Sequence, residues 1–316
     1  MALNKELIDK IITITSRAAI SCHKFLGKND KINADKAATD TMRNEINKLE
    51  INGEVVIGEG ELDKAPMLYI GEKLGTGGNL DIDIAVDPVE GTNFVAKNLP
   101  GALSVIAFAE KGNLFNAPET YMDKLAVSNK VPNDATDLDF PLEKNIKNLA
   151  DSLNKDISDI TACLLNRPRH NAIIKTLKEM NVKMKLISDG DVSGALMVTN
   201  DKYDVDIFLG IGGGPEGVLA ASAIDAYGCK FQGRFLFNND KDILRAKQMG
   251  IKDLKKKYDL KEIIKGDSIF CATGITNGDL VKGVNIKDKT YITQSLVTHK
   301  SSNMCKIVIR EDTIKT

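Results

Sequence analysis

The run Asp81–Asn93, DIDIAVDPVEGTN, constrains this chain more than any other segment. Its first half alternates strictly. Ile82, Ile84 and Val86 point one way and Asp81, Asp83 and Asp87 the other, the period-2 signature of a strand. Pro88 is expected to end that strand, because it lacks the N–H a ladder needs. Glu90 brings a second carboxylate three residues after Asp87, and Gly91 permits close backbone approach. Thr92 and Asn93 then open a turn or helix whose free N–H groups can receive an anion. Two hard oxygen ligands beside a phosphate cradle suit a magnesium- or manganese-dependent phosphate enzyme. An acidic turn with a threonine cap is the plainer reading. The density of Asp, Glu, Gly and Thr directly after a strand favours the metal site.

The chain has 316 residues, enough for two domains of about 150 or one large α/β unit. Its 43 basic residues nearly balance its 44 acidic ones, leaving a net charge of −1. That balance offers no whole-surface attraction to nucleic acid or an anionic membrane, so any phosphate binding must be local. No stretch approaches the ~20 apolar residues of a membrane span. Glu6 and Asp9 interrupt what would otherwise be a signal peptide, so a cytoplasmic protein is expected. Five scattered cysteines without a C-x-x-C pair read as reduced thiols, and with only three histidines they argue against a zinc site. A metal held here is held by carboxylates.

Apolar spacing predicts helices over Leu7–Leu26, stopped by Gly27, and over Asn33–Leu49. Val55–Ile57 reads as a strand that exits into the acidic turn Gly58–Glu61. Leu103–Ala109 and the segment after Lys111-Gly112-Asn113 predict a hairpin, hence an antiparallel sheet in this half. The polar stretch Asn133–Asn154 marks the expected boundary. It divides an α+β domain for metal and phosphate, residues 1–145, from an α/β substrate domain, residues 146–316, with the placement of 266–316 left open. Beyond it, Thr161–Leu165, Val182–Ile187 and Val205–Leu209 read as strands alternating with helices, the pattern of βαβ units. The lysine-rich stretch 251–265 reads as a solvated helix face.

Four further clusters carry possible chemistry. Glu59 and Glu61 form a strand-exit turn of a kind more often solvated than ligating, although two such strand ends could converge on shared metals. Asp189-Gly190-Asp191 follows a strand, and a simple turn explains it as well as a site does. The run Gly210–Gly217 contains the G-x-G-x-x-G spacing of a dinucleotide site, but Glu216 stands where a pyrophosphate would lie. A metal between carboxylate and phosphate removes that conflict, so Glu216 is a candidate ligand and the dinucleotide match is set aside. Only seven of the basic residues are arginine, and Arg167-Pro168-Arg169 places two together after a strand. Arginine forks suit phosphate oxygens, with a pair of surface charges as the alternative. Tyr121 and Lys31 are ordinary in isolation.

Taken in order, the Glu59/Glu61 turn, DPVEGTN, RPRH, DGD and GIGGGPEG resemble the class II fructose-1,6-bisphosphatases. These are bacterial-type members of the metal-dependent, often lithium-sensitive sugar and inositol phosphatases. Glu90 stands where inositol monophosphatases usually carry Asp, which favours the class II branch. The resemblance implies a layered α-β-α-β-α sandwich of the α/β class and a role in gluconeogenesis. It implies two or more Mn²⁺ or Mg²⁺ ions held by Asp35, Glu59, Asp87, Glu90 and Glu216. Glu90, Gly91 and Thr92 would hold the cleaved phosphate. Tyr121, Arg167, Pro168, Arg169, Asp189, Gly190, Asp191 and Gly213 would contact the sugar and the distal phosphate. Thr92 is the expected catalytic residue, with Asp35 as relay partner and Lys31 adding charge. The partner is then a small sugar bisphosphate, with neither nucleic acid nor membrane, and the enzyme a homodimer or homotetramer. Inositol monophosphatase, 3′-phosphonucleotidase and sedoheptulose 1,7-bisphosphatase activities are the alternatives on the same metal site.

Overall fold

The computed structural model describes residues 3–58, 67–116 and 118–313. Asn4 caps α1 (Lys5–His23) by accepting the Leu7 N–H at 2.9 Å, and Asp30 caps α2 (Lys31–Ile46) through the Asn33 N–H at 3.1 Å. There follow β1 (Asn52–Ile57), β2 (Lys73–Leu74), β3 (Asp81–Glu90), α3 (Thr92–Lys97) and β4 (Leu103–Glu110). The chain next forms β5 (Tyr121–Val127), α4 (Leu142–Leu153), β6 (Thr161–Leu165), α5 (Asn171–Glu179), β7 (Lys183–Ile187) and α6 (Asp191–Leu196). It continues through β8 (Ile207–Gly213), α7 (Gly214–Asp225), β9 (Lys230–Leu236), α8 (Asp240–Gln248), β10 (Lys257–Asp259) and α9 (Leu260–Ile263). Last come β11 (Ser268–Gly274), β12 (Asn285–Lys287), β13 (Thr290–His299) and β14 (Met304–Thr313).

These elements form two mixed sheets, one in each of two compact units. Unit 1 comprises Met1–Asn116 and Ile264–Thr316, and unit 2 comprises Ala117–Ile263. In unit 1 the strand order is β12-β13-β11-β4-β3-β1-β2, with β14 on β13. The apolar stripe of α1 and α2, including Ile8, Ile11, Ala34 and Met42, packs on Ile82, Ile84, Ile106 and Cys271 of that sheet. In unit 2 the order is β10-β9-β5-β8-β6-β7. Ile146, Leu149 and Leu177 of α4 and α5 cover Leu125, Val127 and Leu164 on one face. On the other face Gly194 of α6 abuts Phe208, and Gly217 of α7 abuts Met122 and Lys124. Unit 2 is thus a sheet between helices, as its βαβ pattern predicts.

Several expectations are corrected. The units do not divide at 145/146. The outer edge of β4 pairs with β11 from Leu103↔Gly274 to Ala109↔Ser268, so the last 50 or so residues complete the first sheet. The polar stretch expected as a linker carries α4 instead. There Asn145 accepts the Asp137 N–H at 2.8 Å and donates to the Asp137 carbonyl at 2.9 Å, while Ile146 and Leu149 enter the core. Among the described residues the segment after Asn113 does not pair with β4 as a hairpin: β4 pairs with β3 and β11, and Leu114 makes a single bridge to Ile264. The lysine-rich stretch forms β10 and the short α9.

Pro88 does not end β3. Asp87 pairs with Val105 and Glu90 with Leu103, so the strand carries one residue more than its partner across this step. Pro88 falls in that bulge, where no ladder N–H is required. Beyond the exposed Asp81 the acidic face of β3 is also buried: Asp83 is 3% exposed and accepts the N–H groups of Gly112 and Leu114 at 2.7 and 3.3 Å.

Candidate active site

The bulge in β3 sets the unit 1 part of the site. Asp87 and Glu90 flank it, 6% and 4% exposed, and Asp87 Oδ1 accepts the Val89 N–H at 3.0 Å. A bulge bends its strand and re-aims the side chains around it. Gly91 adopts a left-handed conformation, φ 85°, that turns the chain into α3. A Cβ there would strike the Phe94 ring at 2.7 Å, so glycine is required on both counts. Thr92 is the first residue of α3 and is half-buried.

Asp35 lies on α2, which packs against β3 and α3. Its Oδ1 is buried and has no hydrogen-bond partner among the described residues. Desolvation pushes its carboxyl up to about 6. The negative charge of Asp35 adds to burial in raising the Cys22 thiol to about 12, so this thiol is an inert core residue. Lys31 begins α2, one turn before Asp35, and is exposed. Glu59 and Glu61 lie outside the described residues.

In unit 2 the expected sugar and phosphate contacts gather at one end of the sheet. Parallel strands β6, β7 and β8 lead at their carboxyl ends into Arg167, Asp189 and Gly213, and antiparallel β5 begins there with Tyr121. Carboxyl ends of parallel strands are where open α/β sheets bind ligands. The Arg169 guanidinium lies 5.0 Å from the centre of the exposed Tyr121 ring, and its Nε donates to the Ile211 carbonyl at 2.8 Å. Arg167 lies 3.9 Å from Asp189. Pro168 opens the short 3₁₀ turn 168–170, and Gly190, with φ 91°, turns the chain into α6.

The strand expected over Val205–Leu209 runs on through the glycines to Gly213, with Met122↔Gly212 and Tyr121↔Gly213 in register. An added Cβ at Gly212 would overlap the Asp191 carboxylate, and one at Gly213 the Glu216 carboxylate. These glycines therefore make room for acids, which is a different use from a dinucleotide turn. Glu216 stands in the first turn of α7, where the helix dipole favours an anion. Desolvation nonetheless raises its carboxyl above the usual range, outweighing the attraction of Lys124.

Two residues that reading the sequence passed over organise this end of unit 2. His170, 1% exposed, accepts the Ile211 N–H on Nε2 at 2.8 Å, so Nδ1 carries the proton donated to the Leu165 carbonyl at 2.7 Å. It staples the end of β6 to β8. Lys124, 1% exposed, donates to Asp191 Oδ2 and to the Gly213 carbonyl. Its signal was positional: in YMDKLAV it shares a face with Met122 and Ala126, both fully buried.

The donor chemistry fits hard divalent cations. The candidates are carboxylates only, Asp87 and Glu90 are buried, and Asp35 keeps an unsatisfied buried oxygen.

A family model described as bacterial fructose-1,6-bisphosphatase, glpX-encoded, matches residues 5–312. Fructose-1,6-bisphosphatase 1 class 2 of Escherichia coli is 40% identical, across 95% of this chain and 93% of that protein. The class 2 fructose-1,6-bisphosphatase of Haemophilus influenzae is 39% identical, with 96% of each chain covered. A Synechococcus protein named D-fructose 1,6-bisphosphatase class 2/sedoheptulose 1,7-bisphosphatase is 39% identical, across 95% of this chain and 93% of its own.

Proposed function

The chain belongs to the bacterial, glpX-encoded fructose-1,6-bisphosphatase family, and from that premise we propose that it hydrolyses the 1-phosphate of D-fructose 1,6-bisphosphate to fructose 6-phosphate and phosphate. The observation that carries the reading is the bulged end of β3, which buries Asp87 and Glu90 immediately before the Gly91-Thr92 helix start. Phosphate-monoester hydrolysis requires acceleration of up to about 10²¹-fold, and a lone general base supplies about 10²–10⁴-fold. Carboxylate chemistry alone falls short of that requirement. Asp35, Glu59, Asp87, Glu90 and Glu216 would hold two or more Mn²⁺ or Mg²⁺ ions. Such ions supply charge neutralisation on the phosphoryl oxygens and a more acidic water.

The residues of the chain do the rest. Glu90, Gly91 and Thr92 cradle the phosphate to be cleaved. Thr92 Oγ1 orients the attacking water and passes its proton toward Asp35. Lys31 adds positive charge from the start of α2. Arg167, Pro168 and Arg169 receive the distal phosphate. Tyr121, Asp189, Gly190, Asp191 and Gly213 receive the sugar. Four of the five cysteines are buried thiols, in keeping with a reducing, cytoplasmic location. A homodimer or homotetramer is the proposed assembly, measurable by light scattering.

The test is phosphate release from fructose 1,6-bisphosphate in Mn²⁺, Mg²⁺ and EDTA, with inositol 1-phosphate and sedoheptulose 1,7-bisphosphate alongside. Metal-dependent release from the fructose ester, with little from the inositol ester, supports the reading. Release from the inositol ester alone overturns the substrate and keeps the metal site. The Synechococcus relative's name makes release from the sedoheptulose ester the second reading to check.

A further inference from the structure

Lys124 is among the largest fully buried side chains in the molecule. Its ammonium donates to Asp191 Oδ2 and, at 2.8 Å, to the carbonyl of Gly213. Asp191 is itself 6% exposed, so the pair is desolvated on both sides. Stability does not account for it. Replacing a buried ion pair with packed apolar residues is often neutral or stabilising, and the neighbours on the same face of β5, Met122 and Ala126, are apolar.

The surroundings are cut to fit the charges. Gly212 leaves room for the Asp191 carboxylate, and Gly217 for the Met122 thioether beside Lys124, whose Cδ lies 3.3 Å from where a Cβ would stand. Among the described residues no donor other than Lys124 reaches the Asp191 carboxylate. Oδ2 is therefore held while Oδ1 keeps its full acceptor capacity.

We infer that Lys124 is a positioning residue: it clamps Asp191 Oδ2 and the Gly213 carbonyl together, presenting Asp191 Oδ1 to a hydroxyl of the sugar. This rests on the reading that unit 2 binds the fructose 6-phosphate part of the substrate. A carboxylate neutralised from behind accepts from a neutral hydroxyl without repelling the phosphates on the same ligand. Lys124 touches neither the reacting phosphate nor water in this scheme.

Lys124→Gln tests the inference, because glutamine keeps a donor and loses the charge. The readout is inhibition of the Mn²⁺-loaded enzyme by fructose 6-phosphate and, separately, by inorganic phosphate. Fructose 6-phosphate should bind roughly 10- to 100-fold more weakly, the range of a lost charge-assisted hydrogen bond. Inorganic phosphate should weaken clearly less than fructose 6-phosphate, because Lys124 bears on the metal-site acids only through its attraction for Glu216. The KM for fructose 1,6-bisphosphate should rise more than kcat falls. Should Lys124→Gln fail to fold, the double variant Lys124→Gln/Asp191→Asn removes both charges together. It should bind fructose 6-phosphate no worse than Asp191→Asn alone, since the two residues act as one unit. Equal weakening for both ligands, no weakening for either, or additive losses in the double variant overturns the clamp. A parent enzyme that binds phosphate but not fructose 6-phosphate overturns the substrate reading and takes the clamp with it.

Discussion

The two units treat a desolvated aspartate in opposite ways. In unit 1 the half-buried Asp35 has no hydrogen-bond partner for Oδ1 among the described residues, and desolvation pushes its carboxyl up to about 6. In unit 2 Asp191 is buried against a lysine that the fold supplies. An acid short of positive charge is suited to a cation arriving from solution. An acid already neutralised is suited to a neutral hydroxyl. Glu216 shows that proximity to Lys124 is not enough: desolvation still raises its carboxyl, which groups it with the acids of unit 1.

The largest test of that contrast removes charge at the bulge of β3. Glu90→Gln should lower turnover by at least about 10²–10³-fold and weaken Mn²⁺ binding measured by calorimetry, and EDTA should reproduce the loss in the parent. Normal turnover in Glu90→Gln would break the comparison at its centre. Thr92→Ala should lower kcat by about 10²-fold or more and leave Mn²⁺ affinity intact, because its hydroxyl acts on water. Near-normal turnover would remove Thr92 from the mechanism.

The pH dependence of the metal-free protein sharpens the contrast further. Asp35 has a folded pKa near 6 against an ordinary value near 4, so the folded state binds the extra proton. Its stabilising effect is complete below about pH 4 and is lost as pH rises through about 6, by up to about 3 kcal/mol. Thermal unfolding in EDTA should show this decline in the parent and a flatter profile in Asp35→Asn. Identical profiles would mean that the carboxyl is not desolvated in solution.

Smaller effects belong to the exposed charges. Arg169→Ala should raise the KM for fructose 1,6-bisphosphate about 10-fold with kcat nearly unchanged, since it acts on the distal phosphate. Lys31→Ala should change kcat/KM by less than about fivefold, the scale of an exposed charge.

Some of this was readable residue by residue. The periodicity of Leu7 to Ala19 specifies α1, the alternation of DIDIAVD the strand that leads into the site, and Thr92-Asn93 a turn or helix start. Each depends on residues within a few positions of one another. The bulge at Pro88 was not readable, because it exists only relative to β4. The strand character of Gly210–Gly213 depends on β5, nearly 90 residues earlier. The discontinuous unit 1 depends on β4 meeting β11. Nothing in the letters around His170 marked it for a structural role. It became a buried staple because Leu165 and Ile211 bring a carbonyl and an N–H to its two nitrogens.

By itself, then, the sequence determined the local elements, the acid-and-glycine turn chemistry and the family to which they belong. Tertiary structure alone decided which acids are desolvated, which acquire a cation, and where the strand register slips. Side-chain type and spacing are local properties carried by the chain. Burial and ladder pairing are set by distant segments, so Asp35 and Asp191 read alike as letters and differ in their charge environment once folded.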